Sequence, residues 1–170
     1  MDRHPCIKHW SELQEKEPRF YSGSQEPLSI GCALGHYFGF ARIGIHHEIV
    51  EPGHRTSCPH AEKTEDEFVH VFRRHTRCLA GWRPLSTTAG RLGWLQSGGW
   101  SRTYFINNTD QIVRLLCIGD TEREDNRIHY AVHPERNARL GKLNWHDVPD
   151  RELGDHDGLP DRLRANNGPF

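Results

Sequence analysis

Three residues with metal-binding side chains lie close together before the middle of the chain. His60, Glu62 and Glu67 form the pattern H-x-E-x4-E. An imidazole nitrogen and carboxylate oxygens together suit first-row divalent metals such as Zn, Mn or Fe. Three such ligands leave coordination positions open for water or a substrate. The alternative interpretation is a solvated acidic loop over residues 62–67, because charged side chains usually remain at the surface.

Extended segments flank this pattern. Residues 40–50 alternate, with three isoleucines and His47 on one face and Gly44, His46 and Glu48 on the other. Residues 68–72 read as a second strand, and further strands are predicted at 103–107, 111–119 and 128–132. Short strands with regular turns and almost no amphipathic helix predict an all-β sandwich or barrel.

Composition restricts the classes of protein to consider. The 170 residues include 22 basic and 23 acidic side chains, enough chain for one sizeable domain. Because there is no basic stripe, we expect no nucleic-acid partner. The apolar runs are too short to span a bilayer, and the first residues lack the apolar core of a signal peptide. We therefore expect no membrane partner. Five cysteines without a C-x-x-C pair are typical of a reducing compartment, so we expect a cytoplasmic protein.

Several segments resemble a bacterial single-domain cupin protein. The pattern at His60 is similar to the first conserved cupin motif, H-x-H-x3–4-E, with Glu62 where the family has a second histidine. Further segments similar to the family are residues 42–48, 52–57, 65–71, 105–110, 113–116 and 156–161. The likeness covers residues 10–72 and 104–163. It implies a cupin jelly roll, a double-stranded β-helix barrel, with a short N-terminal arm (1–28), a barrel domain (29–132) and an extended C-terminal tail (133–170). It also implies a homodimer.

The resemblance disappears between these two parts. Residues 68–109 contain no Asp or Glu, although about six would be expected in 42 residues from 23 in 170. Codons that encode residues 73–82, read one nucleotide later, can encode a sequence typical of cupins after the first motif. The same shift over residues 90–104 can encode a sequence similar to the second cupin motif. We therefore hypothesise that residues from about 73 to 104 are a frame-shifted translation. A divergent segment is the alternative. As written, Thr103 stands where the family has its last metal histidine.

Other reactive residues have simpler interpretations. His46 and His47 are adjacent in a strand, so only one of them can face a cavity. His47 shares its face with isoleucines, which favours a buried, hydrogen-bonded histidine over a ligand. Cys58 is interpreted as a small packing residue. The glycines between 31 and 39 do not form G-x-G-x-x-G, so a loop leading to a strand is expected rather than a phosphate site.

These observations predict a small cupin-fold protein that binds a small polar metabolite through a divalent metal in the barrel. The predicted metal ligands are His60, Glu62 and Glu67. Whether the protein is an enzyme is left open, because the fold alone does not select a reaction. One alternative is a non-catalytic ligand-binding or regulatory module. The other is a metal-impaired product of a locally frame-shifted gene.

Overall fold

The structure is a computed structural model that describes residues 4–73, 76–80, 83–87, 90, 92–95, 97–98, 104–121, 123–150 and 157–164. Its strands are β1 (Ile30–Ala33), β2 (Ile43–Val50), β3 (Ala61–Glu62), β4 (Glu67–Arg73), β5 (Thr76–Ala80), β6 (Arg83–Thr87), β7 (Leu92–Leu95), β8 (Phe105–Ile106), β9 (Val113–Asp120) and β10 (Ile128–His129). Its helices are α1 (Leu34–Tyr37) and α2 (Pro134–Leu140), with 3₁₀ turns at Trp10–Glu12, Gly141–Leu143 and Asp161–Leu163.

The strands of the described residues form three sheets. The largest has the order β1-β2-β9-β4-β7 and is antiparallel at every pairing. A second sheet has the order β6-β5-β8, and β10 pairs with β3. Strands β2 and β9 pair along their whole length, from Ile43 opposite Asp120 to Val50 opposite Val113. The predicted all-β fold class is confirmed.

The hydrophobic core lies on the inner face of the five-stranded sheet. Because side chains alternate along a strand, every second residue of β2, β4 and β9 points to this face. Phe105 of the three-stranded sheet packs on the same cluster and so joins the two sheets. Each such side chain contributes about 1.5–3 kcal/mol when fully buried. The buried members of the cluster are Val50, Val69, Val71, Phe105, Val113 and Leu115.

A buried arginine connects the N-terminal arm, the barrel and the C-terminal tail. Arg55 is 1% exposed. Its Nε and Nη2 donate to the two carboxylate oxygens of Glu26, each at 2.7 Å. Its Nη1 donates to the carbonyl of Gly158 at 2.6 Å. The guanidinium is planar and carries several donors, so one side chain can hold both segments against the barrel.

Two short helices differ from the expected chain course. Helix α1 lies in the glycine-containing segment where a loop is predicted. Helix α2 lies in the segment expected to be extended, and it begins with Pro134, which is well suited to the first turn of a helix. Asn137 of α2 holds Tyr130 by accepting from its backbone N–H at 2.8 Å and donating to its carbonyl at 2.9 Å. The helix therefore packs against the end of β10.

Residues 73–104, for which a frame shift is hypothesised, contribute β5, β6 and β7 to the sheets. Much of this segment, including Thr103, lies outside the described residues. Among the described helices, none is both long and apolar enough to cross a membrane.

Candidate metal and ligand site

The inner face of the five-stranded sheet changes from apolar to polar along each of three strands. In β2 the change falls between Val50 and Glu48, and His46 follows. In β9 it falls between Leu115 and Cys117. In β4 it falls between Val69 and Glu67. One end of the barrel interior is therefore hydrocarbon, and the other end carries ionisable side chains.

A glycine pair forms the floor of the polar end. Gly44 of β2 and Gly119 of β9 face each other, and Gly119 also pairs with Glu67. A Cβ atom at Gly119 would lie 2.6 Å from the carbonyl oxygen of Asp66. Only glycine allows this close approach of the two backbones.

His60 and Glu62 meet at the edge of this polar end. The Nε2 atom of His60 lies 3.4 Å from a carboxylate oxygen of Glu62. The Nδ1 atom lies 2.9 Å from the carbonyl of Cys58, so it donates its proton there. Burial opposes the charged imidazole, but the hydrogen bond and charge of Glu62 outweigh this and the pKa of His60 is raised. The other Glu62 oxygen accepts from Asn126 at 2.6 Å.

Glu67, the third predicted ligand, lines the same space. Burial raises the pKa of its carboxyl, the charge of His60 opposes this, and the charge of Glu62 adds to it. Among the described residues, none donates a hydrogen bond to the Glu67 carboxylate. The structure thus brings His60, Glu62 and Glu67 to one polar region, with Glu67 the least compensated of the three.

Two cavities of about 190 and 360 Å³ lie in this region. The smaller is rich in carboxylates, and the larger also has the hydroxyls of Thr56 and Ser57 and the guanidinium of Arg19 in its wall. The residues common to both cavities are His46, His60, Glu62, Glu67 and Cys117. All five belong to the residue types that ligate metals.

His46 and Cys117 are absent from the predicted ligands. Strand alternation indicates which face each occupies, but only the register of β2 with β9 places them opposite each other. Burial lowers the pKa of His46, opposed by Glu48, which favours the neutral imidazole that metals bind. Alternation separates His46 from His47 but does not by itself show that the face of His46 is the inner one.

Glu48 is largely neutralised within the protein. It is 6% exposed, and its carboxylate accepts from Arg19 and, at 2.6 Å, from the Ser29 hydroxyl. Arg19 belongs to the predicted N-terminal arm, so the arm supplies one wall of the larger cavity.

His47 is the buried, hydrogen-bonded histidine that the sequence predicts. It is 5% exposed, its Nδ1 lies 2.5 Å from the Gln14 side-chain oxygen, and its ring lies 4.8 Å from that of Trp10. It points to the outer face of the sheet, away from the cavities. Cys58 is 2% exposed and packs beside Arg55, which agrees with a packing role.

The types of donor atom in this region, imidazole nitrogen and carboxylate oxygen, suit a divalent cation. In its neutral form His60 keeps its Nδ1 proton on the Cys58 carbonyl and leaves the Nε2 lone pair toward the cavity, the usual arrangement of a metal-bound histidine. The buried Glu67 carboxylate, which lines both cavities, adds to this fit. In the described part of the chain, however, no three His, Cys, Asp or Glu side chains converge closely enough to form a complete coordination shell. Glu62 is instead paired with His60, and Glu48 with Arg19.

Comparison with known proteins identifies the fold. No family model matches the sequence, and no curated protein matches it. Solved structures do match, and they include proteins named as cupin or double-stranded β-helix proteins. The predicted cupin jelly roll is therefore confirmed as the fold of this chain.

Three of these structures illustrate the match. A cupin-superfamily sugar phosphate isomerase from Silicibacter pomeroyi has a TM-score of 0.61 at 22% identity, over 71% of this chain and 79% of that one. The polyketide cyclase RemF from Streptomyces resistomycificus has a TM-score of 0.56 at 19% identity, over 84% and 96%. An uncharacterised protein with a double-stranded β-helix domain from Klebsiella pneumoniae has a TM-score of 0.53 at 11% identity, over 74% and 97%. At these identities the likeness establishes the fold alone.

Proposed function

We propose that this protein binds a small polar metabolite in the barrel through a divalent metal, Zn, Mn or Fe, held by His60, Glu62 and Glu67. The observation that supports the proposal is the composition of the two adjoining cavities. Every residue that they share is a histidine, a glutamate or a cysteine. Cavities that remain empty in proteins are lined by apolar side chains, unlike these two.

The chain's own residues prepare this site for a cation. Asn126 holds one oxygen of Glu62 in place, and the Cys58 carbonyl fixes the orientation of the His60 ring. Glu67 has a buried carboxylate, and burial raises its pKa while the charge of His60 opposes this. A bound divalent ion would supply a Lewis acid with open positions for a carboxylate- or hydroxyl-bearing ligand.

The walls of the larger cavity favour a polar ligand. Thr56 and Ser57 offer hydroxyl groups, and Arg19 offers guanidinium N–H donors at one side. The names of the similar structures include an isomerase and a cyclase. Because one fold supports such different reactions, the proposal stops at ligand binding and does not name a reaction.

Metal analysis of the purified protein tests the proposal. We expect about one equivalent of Zn, Mn or Fe in the wild type and its loss in His60→Ala. His70→Ala is the matched control, because His70 lies on the outer face of β4 beside Phe72 and should leave the metal content unchanged. Equal metal content in wild type and His60→Ala after reconstitution would remove His60 from the ligand set.

A non-catalytic binding module is the second candidate, favoured by the absence of a converged ligand group among the described residues. In that case the protein would bind its small molecule without metal, and His60→Ala would bind it equally well. A frame-shifted gene product is the third candidate. The nucleotide sequence over codons 70 to 106 tests the frame-shift hypothesis. If the alternative reading frame does not encode the cupin-like segments, the hypothesis fails.

We also propose that the protein forms a homodimer through the outer face of the five-stranded sheet. Ile43, Phe72 and Leu92 on this face are 49%, 44% and 58% exposed. A groove of about 560 Å³ beside them is walled by Trp10, Leu34, Phe72 and Leu116, among others. A second copy offers a surface of the same apolar character, which is the basis of a two-fold interface.

A further inference from the structure

The groove on the outer face of the five-stranded sheet combines apolar walls with one guanidinium group. Its volume of about 560 Å³ lies within the range of about 300–1,000 Å³ that is usual for small-molecule sites. Trp10, Leu34, Phe72 and Leu116 supply its apolar surface, and Arg114 lies in its wall. The described residues that line the groove include no Asp or Glu. Mostly apolar walls with a few polar groups are typical of a ligand site.

Arg114 has no acidic neighbour across the sheet. Its partners in the register are Ile49 of β2 and Arg73 of β4. The guanidinium carbon lies 4.8 Å from the centre of the Trp10 ring. This cation–π contact attracts the charge but accepts none of the five N–H donors that an arginine carries in the plane of its guanidinium. The Nε atom is buried and has no hydrogen-bond partner among the described residues. The guanidinium therefore lacks an acceptor.

The imidazole of His47 does not balance the charge of Arg114. Burial and the charge of Arg114 lower the pKa of His47, while the charge of Glu48 opposes this. The ring is therefore held neutral, and its Nδ1 donates to the side-chain oxygen of Gln14. With no carboxylate in the described walls, the groove keeps a positive charge at neutral pH.

The N-terminal arm holds the aromatic wall of the groove in place. The side chain of His9 caps the 3₁₀ turn that carries Trp10. The Gln14 amide donates to the carbonyl of Ile30 at 2.8 Å, which fixes the arm to β1. The Trp10 ring lies 4.8 Å from the ring of His47 in β2. The wall is thus ordered before a ligand arrives, which reduces the entropic cost of binding.

We infer that this groove binds a small amphipathic carboxylate, with its anionic head against Arg114 and its hydrocarbon body along Trp10 and Phe72. A carboxylate can accept two parallel N–H···O bonds from a guanidinium, and the apolar walls would remove the hydrocarbon part from water. The groove lies on the opposite face of the sheet from the proposed metal site, so this inference does not depend on that function.

A second copy of the chain is the rival occupant, because Phe72 belongs both to the groove and to the proposed dimer interface. The exposed residues Ile43, Phe72 and Leu92 of that interface are apolar. An apolar surface of this kind offers no acceptor to Arg114. The unpaired guanidinium therefore favours a carboxylate ligand over a partner subunit in the groove.

Three probes of equal chain length test the charge preference. Octanoate, 1-octanol and octylammonium are titrated into the full-length protein and their affinities are measured by calorimetry. We expect octanoate to bind about tenfold more tightly than 1-octanol, and octylammonium to bind more weakly than either. In Arg114→Gln the preference for octanoate should disappear while the affinity for 1-octanol is kept. Arg123→Gln is the matched control, since Arg123 pairs with Asp125 outside the groove.

Two further measurements locate the bound probe. The indole N–H resonance of Trp10, assigned by comparison with Trp10→Phe, should shift as octanoate is added. Leu34→Ala should weaken the binding of octanoate and 1-octanol by the same factor, because it removes apolar wall and leaves the charge in place.

Several outcomes would overturn the inference. These are the absence of octanoate binding, equal affinities for the three probes, or a preference for octanoate that persists in Arg114→Gln. A Trp10 resonance that does not shift would place the bound octanoate elsewhere, and would overturn it too. If octanoate binding is lost as the protein associates at higher concentration, a second copy fills the groove instead. Should Arg114→Gln fail to fold, the order of the three probes and the Trp10 shift still decide on the wild-type protein.

Discussion

The guanidinium of Arg19 lies directly over the Cα atom of Gly31, so that a Cβ atom at Gly31 would overlap it. Gly31 is the cross-strand partner of Glu48, the carboxylate with which Arg19 pairs. Because Gly31 has no side chain, Arg19 of the N-terminal arm can reach Glu48 in the barrel interior.

Gly31→Ala is expected to displace Arg19 and leave the Glu48 carboxylate with Ser29 as its remaining donor. An under-satisfied buried acceptor should lower the free energy of unfolding by about 1–3 kcal/mol, measured by denaturant titration. Gly93→Ala in β7 is the control, because a Cβ atom there would contact nothing within 4 Å. If the effect acts through Arg19, it should be much smaller in an Arg19→Ala background. If Gly31→Ala lowers the free energy of unfolding equally with Arg19 and with Ala at position 19, the effect does not act through Arg19.

Glu67→Gln is expected to stabilise the metal-free protein at neutral pH. The pKa of Glu67 is raised by burial, so between its unfolded and folded pKa values the native state binds more protons than the unfolded state. Its contribution to stability is therefore complete at acid pH and is lost as pH rises through the folded pKa. The advantage of Glu67→Gln should grow over that pH range and then remain constant. Unfolding titrations of both proteins as a function of pH measure it.

The exposed Glu17→Gln variant controls for the change of one charge. A pH-independent difference between Glu67→Gln and wild type would contradict the assignment of Glu67 as a carboxylate strained by burial. The same substitution should weaken the binding of a divalent metal, because an amide is a poorer ligand than a carboxylate.

Arg55→Ala is expected to destabilise the fold by about 3–5 kcal/mol, because it leaves the Glu26 charge without its partner. It also removes the hydrogen bond that holds Gly158 of the C-terminal tail. Arg123→Ala is the control: its pair with Asp125 has side chains 46% and 59% exposed, so its loss should change the stability very little. Thermal or denaturant unfolding that shows similar losses for both variants would count against the buried connection.

Phe72→Glu is expected to convert the proposed dimer to a monomer, since it places a charge on the apolar outer face. Sedimentation velocity over a range of concentrations measures the change. The exposed Phe20→Glu, in the N-terminal arm, is the control for adding charge at an exposed aromatic residue. A wild-type protein that sediments as a monomer would contradict the proposed interface.

Much of the fold follows from the sequence by alternation. The strand predicted at 111–119 contains Val113 and Leu115, both 0% exposed, and the pattern of residues 40–50 correctly separates His46 from His47. Alternation gives two faces but does not say which one is inside, because the isoleucine-rich face of β2 is as apolar as a core. Here that face is outside, partly covered by Trp10 of the arm.

The candidate site was predicted in part for a related reason. His60, Glu62 and Glu67 are close in sequence, so a local motif reveals them. His46 and Cys117 are far apart in the chain and meet only through the register of β2 with β9, which a single sequence does not contain. Helix α2 was missed because a seven-residue helix offers too little periodicity to identify.

The separation of hydrocarbon and ionisable side chains along β2, β4 and β9 has an evolutionary consequence. The packing of the core depends on one end of each strand, and the proposed binding site lies at the other, so substitutions in the site need not disturb the packing. If the proposed function holds, a lineage built on this barrel could exchange one metal or metabolite for another through a few changes at the polar end. The division of each strand into an apolar end and a polar end would then allow different activities to arise on one scaffold.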